Sequence, residues 1–447
     1  MGREVVDYED EEGERPAVVF ADGERVVADI VVGADGIKSR ARELVLGFAD
    51  APKSSGYSCY RAYFPGAHLK EDPLCREFVN HDCVNIWIGE DTHLVQNTLR
   101  NGDEFNWIVT RKLSHEADME IRESWFQEGD LEDVARVTAT VDPRIRAAVA
   151  KTPSCLDWKI CYRDPLPTWV SPRSHRIALL GDSCHPHLPT SAQGASQATE
   201  SAAVLAVCLK LAGKERIPLA TRTYEKLRFA RTRASQRNGE DLRDRWHNAL
   251  KDVDDGIEID PESLKIRNRW LYAFDAEADT IERWEEVSSL LVQIVIAAYG
   301  AMQSQVAITK LLEYEDATKK LAKISSEAER QLHKTRTTQA AGAITILVSF
   351  AASVLLLIIG WSYGFWVHYL ISQFMVLAVF AAKTYIQNFW AGKNGRDATA
   401  NKIPLPKMRD YNEALERTEE TIKVLGWLTM SWVASSASSA LAVLEGF

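Results

Sequence analysis

The sequence predicts an α/β domain that leads into an α+β region and ends in a helical transmembrane tail. Three observations carry that prediction. Strand, glycine turn and helix follow one another around residues 29–42 and again around 176–200. Short strands punctuated by Gly, Asn and Asp fill residues 56–110 between them. From Thr337 to Ala382 there is no Asp, Glu, Lys or Arg. The first two form a layered sheet-and-helix order, and the third is long enough to cross a bilayer twice.

Composition removes several function classes. At 447 residues the chain can bury two or three cores. Charged residues at 26% and hydrophobic ones at 46% are ordinary for a globular protein. A net charge of −10, with no basic stripe interleaved with aromatics, excludes nucleic acid as a partner, since phosphate neutralisation needs clustered Lys and Arg. Cysteines at 59, 75, 83, 155, 161, 184 and 208 are odd in number and lack a CxxC spacing, the pattern of a reducing compartment. Residues Met1 to Glu14 are acidic and carry no apolar run, so they are not a secretory signal. There is no internal repeat. GxSxG and HExxH are absent, which leaves hydrolase readings without support.

Residues 17–32 read as a hairpin: AVVF, a turn at Ala21-Asp22-Gly23, then RVVADIVV. Residues 56–64, 83–89, 93–99 and 104–110 read as further strands, and 117–150 as helices with apolar positions at helical spacing. Arg176 to Leu180 is a short buried-type strand ending at Gly181. A helix starts near Gly194 and runs towards Leu211, and 221–250 reads as an Arg-rich helix.

The first chemical motif runs from Asp29 to Arg42. Its strand enters a turn with Gly33, Asp35 and Gly36, and Ser39 marks a helix start. Glycine permits positive φ and close approach of backbone to a ligand, and a helix N-terminus offers N–H groups to an anion such as pyrophosphate. Taken alone, the turn fits an ordinary strand–helix connection equally well. The second motif runs from Arg176 through Gly181, Asp182, Cys184, His185, His187 and Pro189 to Gln193-Gly194-Ala195. It delivers a carboxylate at the C-terminal end of a strand, where α/β folds bind ligands. The small residues at the helix start let a flat ring lie close to the backbone, with the positive end of the dipole beside it.

In this order, the two motifs resemble the paired signatures of single-component flavin monooxygenases, most nearly the salicylate hydroxylase-like group. The segment from Trp158 to Trp169, Trp87-Ile88-Gly89 with His93, Tyr224-Glu225 with Arg228 and Arg231, and Trp270 to Asp275 agree with that group, so the resemblance covers roughly 17–285. It implies the FAD/NAD(P)-binding fold of the aromatic hydroxylase type with an antiparallel substrate sheet. It also implies FAD as cofactor, NAD(P)H as transient reductant, and hydroxylation of a small aromatic substrate by O2 through a flavin hydroperoxide. Gly33, Asp35, Gly36, Arg42, Gly181, Asp182, Pro189, Gly194 and Ala195 would then bind the cofactor. Asp35 would sit near the pyrophosphate, Asp182 at the ribityl chain, and Gly194 with Ala195 at the pyrimidine end. His93 and Arg61 would serve the substrate side, the Arg by meeting a carboxylate. A metal site at Cys184, His185 and His187 is not expected, because they fall inside the flavin signature.

The sequence departs from the family in three places. No GxGxxG occurs, so the fold is expected to be incomplete at its N-terminus and the ADP half of the site missing. That leaves open a catalytically inactive flavin fold on a membrane protein with a binding or structural role. Glu200-Ser201 stands where relatives have Glu-Asp, and Asn97 stands where a Tyr often pairs with the substrate-side His.

In the tail, Ala340 to Trp361 and Ser362 to Ala382 each suffice to span roughly 30 Å of hydrocarbon, joined by a turn at Trp361-Ser362-Tyr363-Gly364. Lys334 and Arg336 precede this hairpin and Lys383, Lys393, Arg396 and Lys402 follow it. Both ends, and the flavin domain, are therefore expected to face the cytoplasm. Two weaker apolar segments flank the hairpin, Val287 to Met302 and Val424 to Leu444. The expected domain plan is 1–55 and 151–285 for the flavin domain, 56–150 for the substrate domain, 286–336 for a charged stalk, 337–382 for the hairpin and 383–447 for a helical tail.

Overall fold

A computed structural model describes residues 2–113, 127–255, 260–265, 269–322, 326–359, 365–390 and 408–445. The chain forms two compact units, Met1–Ala276 and Glu277–Phe447.

In the first unit, β1 (Val5–Glu9), β2 (Ala17–Phe20) and β3 (Arg25–Val27) make a small antiparallel sheet. Asp22 shapes the hairpin turn by accepting from Glu24 N at 3.0 Å. The expected hairpin over 17–32 is only partly formed, because its second strand stops at Val27. Residues Val31–Gly33 are a separate strand, β4, parallel to β10 (Ile177–Leu179). Arg176 causes the switch: its side chain donates to Asp29 O and its carbonyl accepts from Val31 N, so the chain's hydrogen bonds leave the hairpin for the second motif. The acidic N-terminal stretch, where no strand was anticipated, supplies β1. Its Asp10 is buried and accepts from Ser171 Oγ and from the backbone of Arg173 and Ser174.

Helix α1 (Arg40–Leu46) follows β4, and β5 (Lys53–Pro65) leads into the larger sheet with β6 (Cys83–Gly89), β7 (Thr92–Leu99) and β8 (Glu104–Lys112). After α2 (Leu131–Val137) and α3 (Pro143–Ala150), β9 (Leu156–Tyr162) completes an antiparallel order β6-β7-β8-β5-β9. Part of the helical stretch expected over 117–150 lies outside the described residues. The remainder forms α2 and α3, whose N-termini are capped by Asp130 and Asp142.

Pleat alternation divides the residues of this sheet between its two faces. One face joins Phe64, Phe105, Trp107 and Val109 to Val134 of α2 and Ile145 and Ala148 of α3 in a closed core. By register, the opposite face carries His93, Thr110 and Cys59 in one row, then Val95, Ile108 and Arg61, then Asn97, Asn106 and Tyr63. α4 (Gly194–Ala212) and the long α5 (Ile217–Asp254) follow β10, and α5 packs on β6 and β7. The short α6 (Arg269–Tyr272) ends the unit.

The second unit contains α7 (Ala276–Ala322), α8 (Ser326–Ile359), α9 (Phe365–Trp390) and α10 (Met408–Glu445). These helices are apolar on both sides. Leu290, Ala297, Ile346, Val379 and Leu428 form the interior, while Ile358, Leu370, Phe374, Leu377 and Met430 are exposed. Polar side chains pair inside: Ser353 with Gln293 at 3.1 Å, Trp432 with Ser349 at 2.8 Å, Gln339 with Thr418 at 2.8 Å. Interhelical polar pairs inside a bundle that is apolar within and without are a pattern by which helices associate in lipid.

Among the described residues, three helices are long and apolar enough to cross a membrane: Ala276–Leu312, His333–Ile358 and Val367–Trp390, with mean hydropathies of 1.4, 2.5 and 1.5. The expectation was two, with 287–302 as a weaker segment interrupted by Gln293. Gln293 is instead buried and bonded to Ser353, so it does not break the span. The 424–444 segment, within α10, is not among the three. The turn at 361–364 and the basic residues Lys393, Arg396 and Lys402 lie outside the described residues.

Candidate flavin and substrate site

The two glycine motifs meet where β4 and β10 end. Gly33 pairs with Leu179, and its carbonyl accepts from Leu180 N at 3.0 Å and Ser183 Oγ at 2.6 Å. A Cβ on Gly33 would lie 2.5 Å from Ala41 Cβ, so its absence lets α1 press against the strand. Gly36 supplies the turn, with φ +75°.

The N-terminus of α1 does not offer the free N–H groups expected of it. Asp35 Oδ2 accepts from Arg40 N at 2.8 Å and Ala41 N at 3.2 Å, and Ser39 Oγ from Arg42 N at 2.9 Å. The carboxylate expected beside a pyrophosphate thus caps its own helix. Arg42, also expected at the cofactor, is 1% exposed and pairs with Asp50 at 2.8 Å while donating to the carbonyls of Ser183 and Asp164. Its guanidinium braces one motif against the other. Burial alone would raise the Asp50 carboxyl pKa, but Arg42 and Arg163 outweigh it and hold the group low.

The second motif is open where the first is closed. A single 3-10 turn, Gly181–Ser183, leaves Asp182 solvent-facing, with no side-chain partner among the described residues. Desolvation by its surroundings raises its pKa. Another such turn starts at the exposed Pro189, and α4 then begins at Gly194 without a side-chain cap from Gln193. Gly194 is half-buried and Ala195 exposed, so the uncapped backbone N–H groups of this first turn face an approachable surface. A carboxylate for hydroxyls, a proline edge and an uncapped helix start suit the ring and ribityl end of a flavin. The capped α1 does not offer its first N–H groups to the pyrophosphate.

Helix α5 fixes the angle of α4. Glu200 receives Arg228 at 2.6 Å and Arg231 at 2.7 Å, and Arg228 also donates to Gln197 Oε1 at 2.7 Å and Ser201 Oγ at 3.1 Å. Ser201, the departure from Glu-Asp, thereby keeps a polar role and also bonds His185 Nε2 at 2.9 Å. His187 contacts His185 O at 2.7 Å and Ser235 Oγ at 3.1 Å. Among the described residues, no three His, Cys, Asp or Glu side chains are grouped to hold a metal ion.

On the larger sheet, His93 and Arg61 lie on the face opposite the closed core, two strands apart; α5 covers that face at His93, while Arg61 is half-buried. The Arg61 guanidinium lies 4.2 Å from the Trp158 ring centroid. His93 is 3% exposed, and its Nδ1 meets His247 Nε2 of α5 at 2.8 Å, with Trp246 edge-on at 5.1 Å. Sequence reasoning missed His247 and Trp246, which lie in the helix read as a charged stretch. The signal available was two adjacent aromatic rings among its arginines. Burial, His247 and Arg243 push the His93 pKa down to about 3, and burial foremost takes His247 to about 4. Both rings are neutral at physiological pH. Asn97 accepts from Asn106 Nδ2 at 2.5 Å, a cross-strand amide pair in place of the expected Tyr.

The FAD binding domain family matches residues 1–238. The chain is 35% identical over 305 residues to the FAD-dependent monooxygenase fsr3 of Gibberella fujikuroi, covering 65% of this chain and 56% of that protein. Among solved structures, CtdE in complex with FAD and substrate 4 is similar with a TM-score of 0.58 and 30% identity, covering 65% of this chain and 70% of that one. A salicylate hydroxylase substrate complex shares the fold with a TM-score of 0.53 and 24% identity, covering 63% of this chain and 70% of that one.

Proposed function

Because this chain belongs to the FAD-dependent monooxygenase family, we propose that it is a membrane-bound monooxygenase that hydroxylates a small aromatic or related substrate with NAD(P)H and O2. One observation carries the reading: α4 starts uncapped at Gly194 beside a solvent-facing Asp182 and Pro189, the arrangement that suits a flavin ring and its ribityl chain. Bound FAD would supply the redox and oxygen-transfer chemistry. Asp182 would hold ribityl hydroxyls, and Gly194 with Ala195 would meet the ring through backbone N–H groups. Arg61 and His93 would orient the substrate on the face of the sheet opposite the closed core.

The purified full chain in detergent, incubated with excess FAD and desalted, is expected to keep a flavin absorbance band. Asp182→Ala removes a charge-assisted acceptor worth about 1.5–3 kcal/mol, and so weakens FAD retention by roughly 10- to 150-fold. A colourless wild-type protein would remove catalysis from this chain. The second reading, a flavin-type fold with a binding or structural role in the membrane, would then stand; the self-capped N-terminus of α1 favours it.

For location, the same reading places the flavin unit in the cytoplasm, where NAD(P)H is available and free thiols such as Cys59 and Cys155 stay reduced. If α7 crosses the membrane, Lys334 and Arg336 lie on the face opposite residue 276, against the basic-flank expectation. Protease treatment of sealed microsomes decides between them: a tag before residue 17 is expected to be digested, and its protection would reverse the orientation.

A further inference from the structure

The contact between His93 and His247 determines which hydrogen-bonding groups this face of the sheet offers. Two neutral imidazoles joined at 2.8 Å share one proton between His93 Nδ1 and His247 Nε2. If His93 Nδ1 donates, a neutral His247 must carry its proton on Nδ1. If His247 Nε2 donates, His247 Nδ1 is a bare lone pair and His93 carries its proton on Nε2. The structure distinguishes these cases, because His247 Nδ1 is sealed from solvent with no partner. A sealed N–H without an acceptor is rarer and less tolerable than an under-satisfied acceptor. The second arrangement is therefore the stable one.

We propose that His247 locks His93 in the Nε2–H tautomer, so that His93 is a fixed hydrogen-bond donor on the substrate face and selects an aromatic substrate bearing an acceptor oxygen, such as a ring carbonyl. This rests on reading that face as the substrate face. The depressed pKa values agree with it, since neither ring is an imidazolium at neutral pH. The neighbouring groups agree as well. Arg61 adds a second donor to the face, and residues 93–97, 106–110 and 59–63 contain no carboxylate that could act as a base in place of His93. Tyr57, 5.4 Å from the His247 ring and 4.7 Å beneath Arg243, and Trp246 hold the pair in place. His247 acts through His93 and is a positioning residue.

The test uses the full chain in detergent, deuterated except at histidine, which is 15N-labelled and keeps its ring protons. Two-bond 15N–1H spectra report each tautomer, with His93→Gln and His247→Phe assigning the signals. The expected result is Nε2–H on His93; Nδ1–H or an imidazolium there overturns the proposal. Binding is then read by tryptophan fluorescence with chromone and with 4H-chromene, which lacks the ring carbonyl. Chromone is expected to bind about 5- to 10-fold tighter, the size of one ordinary hydrogen bond. His93→Gln, which keeps an N–H donor, should retain that preference, whereas His93→Phe should lose it. Equal affinity of wild type and His93→Phe for chromone overturns the donor role while leaving the face reading intact. If neither probe moves the His93 signal or the fluorescence, the substrate-face reading falls and the proposal falls with it.

Discussion

Arg228→Met is expected to lower the melting temperature of the first unit by roughly 6–12 °C, from about 3 kcal/mol lost at 2–4 °C per kcal/mol for a unit of this size. Arg228 is 1% exposed and donates to Glu200, Gln197 and Ser201 together, so the substitution strips three partners of α4 at once. The loss falls at the low end of what breaking a buried ion pair costs, because Glu200 keeps Arg231. Burial tends to raise the Glu200 carboxyl pKa, but Arg231 and Arg228 prevail and hold it below its ordinary value. A depressed carboxyl pKa gives stability that is full above the unfolded value, about 4.3, and disappears as pH falls through the folded one. The wild type should therefore lose more stability than the variant between neutral pH and pH 3. Calorimetry of the two proteins in detergent at both pH values checks this. Melting within a degree of wild type at neutral pH would show that the network holds nothing together. Arg228→Lys should not restore the wild-type value, since an ammonium cannot reproduce the planar fork.

Leu377→Arg is expected to abolish stable membrane integration. Leu377 is 69% exposed on α9, within the span Val367–Trp390. On the insertion scale, an arginine near the centre of a span costs roughly 2.5–3.5 kcal/mol, and the lost leucine adds a few tenths more. In a water-facing bundle the same exposed substitution changes stability by no more than about 0.5 kcal/mol. Translation with microsomes followed by alkaline extraction separates these cases. Wild type should remain in the pellet and the variant should be released. Equal retention of both, or release of both, would mean that this face of α9 does not meet lipid.

Much of the fold was legible because its signals are local. The alternation at 83–89 and 93–99, the strand–turn–helix spacing around Gly33 and Gly194, and the uncharged stretch from Thr337 each state their structure within a few turns of chain. Reading failed where one segment had two possible partners. Residues 25–33 look like one continuous strand, and only Arg176, far along the chain, divides them. Residues 287–302 look too polar at Gln293 until Ser353 of another helix satisfies it.

The candidate site divides in the same way. Sequence alone determined its chemical inventory: two glycine turns, a carboxylate at Asp182, a small helix start at Gly194, and His93 and Arg61 on separate strands. It also determined the apolar length of the tail. Tertiary structure decided how each group is used. Asp35 and Ser39 close the first helix end while the second stays open, Arg42 becomes a brace to Ser183 and Asp164, and His247 meets His93 across 154 residues of sequence. Spacing encodes propensity and direction within a segment. Whether an N–H, a guanidinium or a ring nitrogen remains available to a ligand depends on which distant group reaches it once the chain has packed.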